Sequence, residues 1–162
     1  EGPFEAQKTL LGRLESSVKV SLDPGEIYAK KGLEAIRTLI QRSHILFVTE
    51  KEIQMLTGRG LPEGARSLME MGPSILVCKT GRQGAHIFSP AGDFQVPVVQ
   101  AEVLDNTGAG DVYNAGFLAG FFFRRPLEDC AHFAAKVAAK SVTGYGRSRY
   151  PTEEDLKNFF YE

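Results

Sequence analysis

A polar, glycine-rich loop runs directly into a long apolar segment at Leu104-Asp105-Asn106-Thr107-Gly108-Ala109-Gly110-Asp111-Val112. Glycine and alanine carry little side-chain bulk, so the backbone N–H groups of such a loop can approach an anion closely. From 112 to 123 the only strongly polar residue is Asn114, which predicts a helix buried on nearly all sides. The loop opens this helix, where unpaired N–H groups and the positive end of the dipole favour a phosphate.

Asp111 lies at the junction between the loop and the apolar helix. A carboxylate at this point can reach the same anion-binding hollow and act as the general base toward a substrate hydroxyl. The alternative for an isolated Gly-x-Gly-Asp sequence is a tight turn followed by an acid that stabilises the helix end. Other nucleotide motifs do not fit, because Tyr113 replaces the last glycine of the dinucleotide fingerprint and the chain contains no Gly-Lys dipeptide.

Outward from this loop, short apolar runs bounded by turn residues alternate with segments of helical periodicity. The predicted strands are 18–22, 45–48 and 74–78, followed by an antiparallel pair at 84–88 and 93–99. The predicted helices are 27–42, 50–56, 63–71, 111–123, 127–142 and 153–160. Strands that are apolar on both faces and alternate with helices predict an α/β fold with a mainly parallel sheet.

The composition excludes several classes of protein. The chain has 162 residues, 43% of them hydrophobic and 24% charged, which is typical of one globular domain. Its 19 Lys and Arg balance 20 Asp and Glu, so no basic surface for nucleic acid is expected. No apolar run approaches the roughly 18 residues of a membrane span. The two isolated cysteines, Cys78 and Cys130, indicate small core residues and a reducing cytoplasm.

The segment from 105 to 118 closely resembles the C-terminal signature of the ribokinase-like, or PfkB, family of carbohydrate kinases. The resemblance implies that Asp111 is the base that deprotonates the sugar hydroxyl. It implies that Gly108-Ala109-Gly110 forms an anion hole for the transferring γ-phosphoryl group. Asn106 stands where the family usually has a small or hydroxyl residue, and we assign it to the nucleotide site.

Two further segments are similar to this family, and the first of them concerns the nucleotide. The first, 77–85, is similar to the family's strand–turn–strand, which implies that Lys79 approaches the phosphates of ATP while Gly81 and Gly84 let the backbone pass close by. By itself, this segment is a plain hairpin turn. The small-residue helix 127–142 borders the adenine site in the family, which makes Ala138 a candidate contact.

The second similar segment, 49–58, concerns metal ions. It looks like the family's Asn-x-x-Glu segment, with Glu52 in the position that helps to arrange Mg²⁺, water and phosphate, and Thr49 in place of Asn. By itself, Glu52 is an acid stabilised by the helix dipole. Family members commonly bind a monovalent cation such as K⁺ beside the anion hole, and Asp105 and Thr107 match two of the positions involved.

The resemblance implies a three-layer α/β/α ribokinase-like fold of which residues 1–162 form only the C-terminal, nucleotide-binding and catalytic portion. The N-terminal substrate and lid portion of the family has no counterpart here, and the chain begins with Glu1 rather than Met. The expected function is ATP-dependent phosphorylation of a hydroxyl on a sugar or sugar-like molecule. The alternative is a non-catalytic nucleotide-binding or assembly module, whose partner is the missing half or a second copy of the chain.

Overall fold

The computed structural model describes residues 2–161, and the side chains of residues 4–159. The strands are β1 Ser21–Leu22, β2 Ile45–Thr49, β3 Ile75–Lys79, β4 Ala85–Ser89 and β5 Gly92–Val96. The helices are α1 Gly2–Arg13, α2 Gly25–Ala29, α3 Leu33–Arg42, α4 Glu50–Thr57, α5 Glu63–Met69, α6 Ala109–Phe122, α7 Leu127–Ser141 and α8 Glu153–Tyr161, with a 3₁₀ turn at Gly81–Gln83. None of the helices within this described part is long and apolar enough to cross a membrane.

The strands form one five-stranded sheet in the order β1-β2-β3-β4-β5. β1 pairs with β2 and β2 pairs with β3, both in parallel, with Thr49 beside Lys79 at the end of the second pair. The mainly parallel sheet predicted from the sequence is therefore confirmed. The chain divides into two compact units, one of Glu1–Lys79 with Ile87–Asp93 and the other of Thr80–His86 with Phe94–Glu162.

In the first unit, the core forms around the two central strands. The first four residues of β2 and of β3 are all buried, because helices cover both faces of a parallel sheet. Cys78 belongs to this core, and burial raises the pKa of its thiol to about 12, so the group behaves as a small apolar side chain. The sequence prediction for Cys78 is confirmed.

In the second unit, α6 and α7 pack with their backbones close together. A Cβ atom on Gly116 would lie 3.0 Å from the Cα of Ala134, and one on Gly120 would lie 2.9 Å from the Sγ of Cys130. Both distances are too short for a side chain, so the glycines allow the approach. The prediction that α6 is buried on nearly all sides is wrong at its end, because the side chain of Phe122 is 81% exposed.

Three element predictions need correction, and one helix was missed. The single helix predicted over 27–42 is two helices, α2 and α3, because the chain turns at Gly32 with φ 84°. The strand predicted over 18–22 is reduced to Ser21–Leu22, although the Val20 carbonyl still accepts hydrogen bonds from the N–H groups of His44 and Ile45. The last strand ends at Val96 rather than 99. Helix α1 was not predicted, since its apolar residues form no regular stripe.

Candidate functional site

The glycine loop leads into α6 with backbone N–H groups unpaired at the start of the helix. Gly108 is the residue before the helix, in the left-handed conformation with φ 78°. The Ala109 N–H donates to the Asn106 carbonyl at 3.1 Å, and the Val112 N–H donates to the Gly108 carbonyl at 3.0 Å. Within the described residues, the N–H groups of Gly110 and Asp111 have no acceptor. These two donors, at the positive end of a helix, suit an anion.

The Asp111 side chain is exposed in the first turn of α6. It therefore lies at the same helix end as the unpaired N–H groups of Gly110 and Asp111 itself. Helix α6 is fixed by close packing against α7, so both kinds of group are carried on a rigid element. A solvent-accessible carboxylate beside an anion-binding helix end can accept a proton from a hydroxyl that attacks the anion.

Asp105 links the glycine loop to a second loop. One of its carboxylate oxygens accepts the Thr107 N–H at 2.9 Å, and the other accepts the Gly146 N–H at 3.0 Å. These hydrogen bonds, the one from Gly146 first, hold the pKa of the Asp105 carboxyl below its ordinary value. Two residues of the sequence-predicted cation site, Asp105 and Thr107, are thus in contact. The contact with Gly146 was not predicted, since it joins residues far apart in the chain.

The lowered pKa of Asp105 predicts how stability depends on pH. Because the folded pKa lies below the unfolded one, this carboxylate contributes stability above about pH 4, and the contribution is lost as the pH falls through the folded pKa. Asp105→Asn leaves a single acceptor oxygen, so one backbone N–H loses its partner. We expect denaturant unfolding to show a difference between wild type and variant that is constant near neutral pH and shrinks below pH 4. A difference unchanged down to pH 2 would contradict this assignment.

In the first unit, the sequence-predicted Lys79 is paired with an acid that the sequence analysis missed. Lys79 ends β3, and its Nζ lies 2.6 Å from Oδ2 of Asp23, which directly follows β1. The two side chains are 17% and 28% exposed. The other oxygen of Asp23 accepts the Gly25 N–H at 3.0 Å. Both residues lie at the carboxyl ends of parallel strands, the edge at which open α/β sheets bind ligands.

Glu52 forms a capping box at the start of α4. Its Oε2 accepts the Thr49 N–H at 2.8 Å, while the Thr49 hydroxyl accepts the Glu52 N–H at 3.3 Å. The Glu52 side chain is buried, with 7% exposure. The Thr-x-x-Glu spacing in the sequence is the signature of this motif, so the box was predictable. A structural role for Glu52 is therefore established, while the Mg²⁺ role expected from the resemblance stays a prediction.

The turn that contains Gly81 and Gly84 is held by its own backbone. The Thr80 N–H donates to the Gly84 carbonyl at 2.9 Å, and a Cβ on Gly84 would overlap the carbonyl oxygen of Val96. Gly84 therefore allows close approach to a neighbouring strand, while Gly81 is exposed. Ala138, on α7, is half-buried, and its carbonyl accepts the Ser141 hydroxyl at 2.8 Å.

The candidate residues divide between the two units. Lys79 and Glu52 belong to the first, while the loop 105–111, the Gly81–Gln83 turn and Ala138 belong to the second. Among the described residues, no group of three or more His, Cys, Asp or Glu side chains could hold a metal ion. Mg²⁺ commonly uses one or two carboxylates together with phosphate oxygens, so a single carboxylate such as Glu52 fits a magnesium ion carried by a nucleotide.

Comparison with known proteins places the chain in a family. Residues 16–154 match the model of the pfkB family carbohydrate kinases. An uncharacterized sugar kinase of Archaeoglobus fulgidus is 35% identical over 143 residues, which cover 88% of this chain and 56% of the relative. The cytidine kinase of Thermococcus kodakarensis is 32% identical over 152 residues, which cover 89% of this chain and 54% of the relative.

The solved structures support the same fold. Ribokinase of Arabidopsis thaliana, complexed with ribose and ATP, superposes with a TM-score of 0.85 at 23% identity, over 97% of this chain and 52% of that one. The fold expected from the resemblance is thus confirmed. The chain spans about half the length of the curated relatives that it matches. The sequence signature, the sheet and these matches agree, and the chain belongs to the pfkB family of carbohydrate kinases.

Proposed function

We propose that this chain supplies the nucleotide site, the anion hole and the base of a kinase that phosphorylates a hydroxyl of a sugar or sugar-like molecule. The observation that carries the proposal is the start of α6, where two unpaired N–H groups and the exposed Asp111 carboxylate share one helix end. Phosphoryl transfer requires mainly positioning and charge stabilisation, which this arrangement offers.

In the proposed step, Asp111 accepts the proton of the acceptor hydroxyl while that oxygen forms a bond to the γ-phosphorus of ATP. The bond between the γ-phosphorus and the bridging oxygen breaks, and ADP leaves with that electron pair. We expect the N–H groups of Gly110 and Asp111, at the end of the Gly108-Ala109-Gly110 loop, to stabilise the charge on the transferring group, since the Ala109 N–H is already paired. Asn106 stands beside this loop and is exposed, which is consistent with the nucleotide contact that we propose for it.

The nucleotide contacts in the first unit follow from charge. Lys79 presents an ammonium group at the carboxyl edge of the sheet, where it can pair with a phosphate oxygen. In the second unit, Gly81 and Gly84 carry no side chains of their own at the ends of the turn, and Ala138 offers a small surface for the base. Mg²⁺ bound to ATP supplies positive charge that offsets the charge of the phosphates.

The variant Glu52→Gln tests whether Glu52 serves Mg²⁺ in addition to its structural role in the capping box. Glu52→Gln keeps an oxygen that can accept the Thr49 N–H but removes the negative charge. In the complete protein we expect it to raise the Mg²⁺ concentration for half-maximal activity severalfold, while the free energy of unfolding changes by less than about 1 kcal/mol. Activity titrated with Mg²⁺ at fixed ATP, together with denaturant unfolding, measures both effects.

The matched variant for this experiment is Glu52→Ala, which removes the cap as well as the charge. It should destabilise the protein by about 0.5–2 kcal/mol, as the loss of a helix cap does. If Glu52→Gln needs no more Mg²⁺ than wild type, then Glu52 serves the capping box alone.

The proposed function is tested by nucleotide binding and by an acceptor screen. Calorimetric titration of this chain with ATP and Mg²⁺ should show binding. The complete protein should transfer phosphate from ATP to at least one acceptor among free sugars, sugar phosphates and nucleosides. Nucleotide binding without transfer to any acceptor would instead support the second candidate, a non-catalytic nucleotide-binding or assembly module.

Three further expectations stay predictions. Asp105 and Thr107 retain free lone pairs beside the glycine loop, so they are compatible with the K⁺ site that the resemblance implies. A homodimer and a cytoplasmic location rest on the sequence arguments alone.

A further inference from the structure

The Tyr150 side chain lies against the residue that precedes α6. A Cβ atom placed on Gly108 would overlap the Tyr150 hydroxyl oxygen and would lie 3.6 Å from the Cζ atom of the same ring. Gly108 is the residue whose backbone leads into the unpaired N–H groups of Gly110 and Asp111. The Tyr150 hydroxyl is therefore at the same end of α6 as the proposed anion hole.

The Tyr150 ring is held in place by packing. It contacts an apolar cluster of Val112, Phe133 and Val137, to which Leu156 and Phe159 of α8 also belong. The Phe133 and Phe159 rings stack in that cluster with centroids 4.1 Å apart. On the backbone, the Tyr150 N–H donates to the Arg147 carbonyl at 3.2 Å. A ring fixed in this way holds its hydroxyl in one position.

The hydroxyl itself is available for a ligand. Within the described residues it makes no hydrogen bond, and its oxygen is not among the buried polar atoms that lack a partner. The oxygen is thus not fully enclosed, and it carries one O–H donor. The buried hydroxyl of Tyr113, two residues beyond Asp111, contrasts with it, because that oxygen is enclosed and out of reach.

We propose that Tyr150 is a further catalytic residue whose hydroxyl donates a hydrogen bond to the transferring phosphoryl group. This inference rests on the proposed function and adds a side-chain donor to an anion hole otherwise made of backbone N–H groups. A donor fixed before the reaction, beside the place where charge develops, stabilises the transition state without reorganisation.

The test is Tyr150→Phe in the complete protein, since phenylalanine keeps the packed ring and removes only the hydroxyl. We expect kcat to fall by about 10- to 100-fold, somewhat less than the loss of a backbone oxyanion donor. The KM for ATP should stay within about threefold of wild type, and the melting temperature should not fall. Tyr145→Phe, in the same loop and 72% exposed, is the matched control and should leave kcat unchanged.

A second measurement keeps the test independent of the acceptor. In protein carrying 3-fluorotyrosine, the ¹⁹F resonance of residue 150, identified by its loss in Tyr150→Phe, should shift when MgADP and aluminium fluoride are added together. MgADP alone should have a smaller effect. A kcat within twofold of wild type in Tyr150→Phe, or an unshifted resonance, would overturn the inference.

The two proposals fail in different ways. If wild type phosphorylates an acceptor and Asp111→Asn does not, the proposed function stands, and Tyr150→Phe then tests only the hydroxyl. If wild type phosphorylates nothing and the ¹⁹F resonance does not shift, both proposals fail.

Discussion

We expect Asp111→Asn to lower kcat of the complete protein by about 10²- to 10⁴-fold, the contribution of a general base, while ATP affinity stays within about twofold of wild type. Asparagine has the same shape as aspartate but cannot accept the proton of the attacking hydroxyl. The side chain is exposed, so the substitution leaves no buried group without a partner. Steady-state kinetics with the best acceptor and calorimetric titration with ATP and Mg²⁺ measure the two quantities.

The alternative role for Asp111 is stabilisation of the helix end, and it predicts a different pattern. An acid in the first turn of a helix contributes about 0.3–1 kcal/mol of stability, with no effect on chemistry. Asp129→Asn, an exposed acid in the first turn of α7, is the matched control, and it should show the small stability change with normal kcat. If Asp111→Asn behaves like Asp129→Asn, Asp111 is not the base.

The elements that the sequence predicted well are those whose local pattern leaves little choice. Four consecutive apolar residues at 45–48 and a similar run at 75–78 are short enough to indicate strands covered on both faces. The apolar segment after Asp111 is too long for a strand, and the alanine-rich segment at 127–142 has helical spacing, so α6 and α7 match the predicted helices closely. Local patterns also explain the errors, since apolar periodicity continues across Gly32, where the backbone turns.

Of the candidate site, only the contiguous segment 105–111 could be predicted from the sequence. The glycine loop and Asp111 are contiguous, so their meeting at one helix end follows from the sequence. The partners of other site residues are not contiguous. Asp23 lies 56 residues before Lys79, and Gly146 lies 41 residues after Asp105. These contacts depend on strand register and loop placement, which a single sequence does not encode in any local signal.

The second large effect that we expect is the loss of activity in Gly108→Ala, and it follows from the contact of Tyr150 with Gly108. Gly108→Ala meets two obstacles, a φ of 78° that costs an alanine about 1–2 kcal/mol, and overlap of the new Cβ with the Tyr150 hydroxyl. Because the glycine loop must then move, we expect kcat to fall by about 10²-fold or more, as displacements near 1 Å do in active sites. Kinetics and denaturant unfolding of the complete protein measure both losses.

Two further variants separate backbone strain from the overlap. Gly58→Ala, at the end of α4, has a similar φ of 69° and open space around its Cβ, so it should lose about 1–2 kcal/mol of stability with normal kcat. The double variant Gly108→Ala with Tyr150→Phe removes the overlapping oxygen. The double variant should lose less free energy of unfolding than the two single variants lose together. The difference should be at least about 0.5 kcal/mol, which is the coupling expected of residues in contact. The kcat of the double variant should stay low, because the proposed hydroxyl donor is lost together with the overlap. Strict additivity of the stabilities would show that Tyr150 does not press on the loop, and recovery of kcat would show that its hydroxyl takes no part in the reaction.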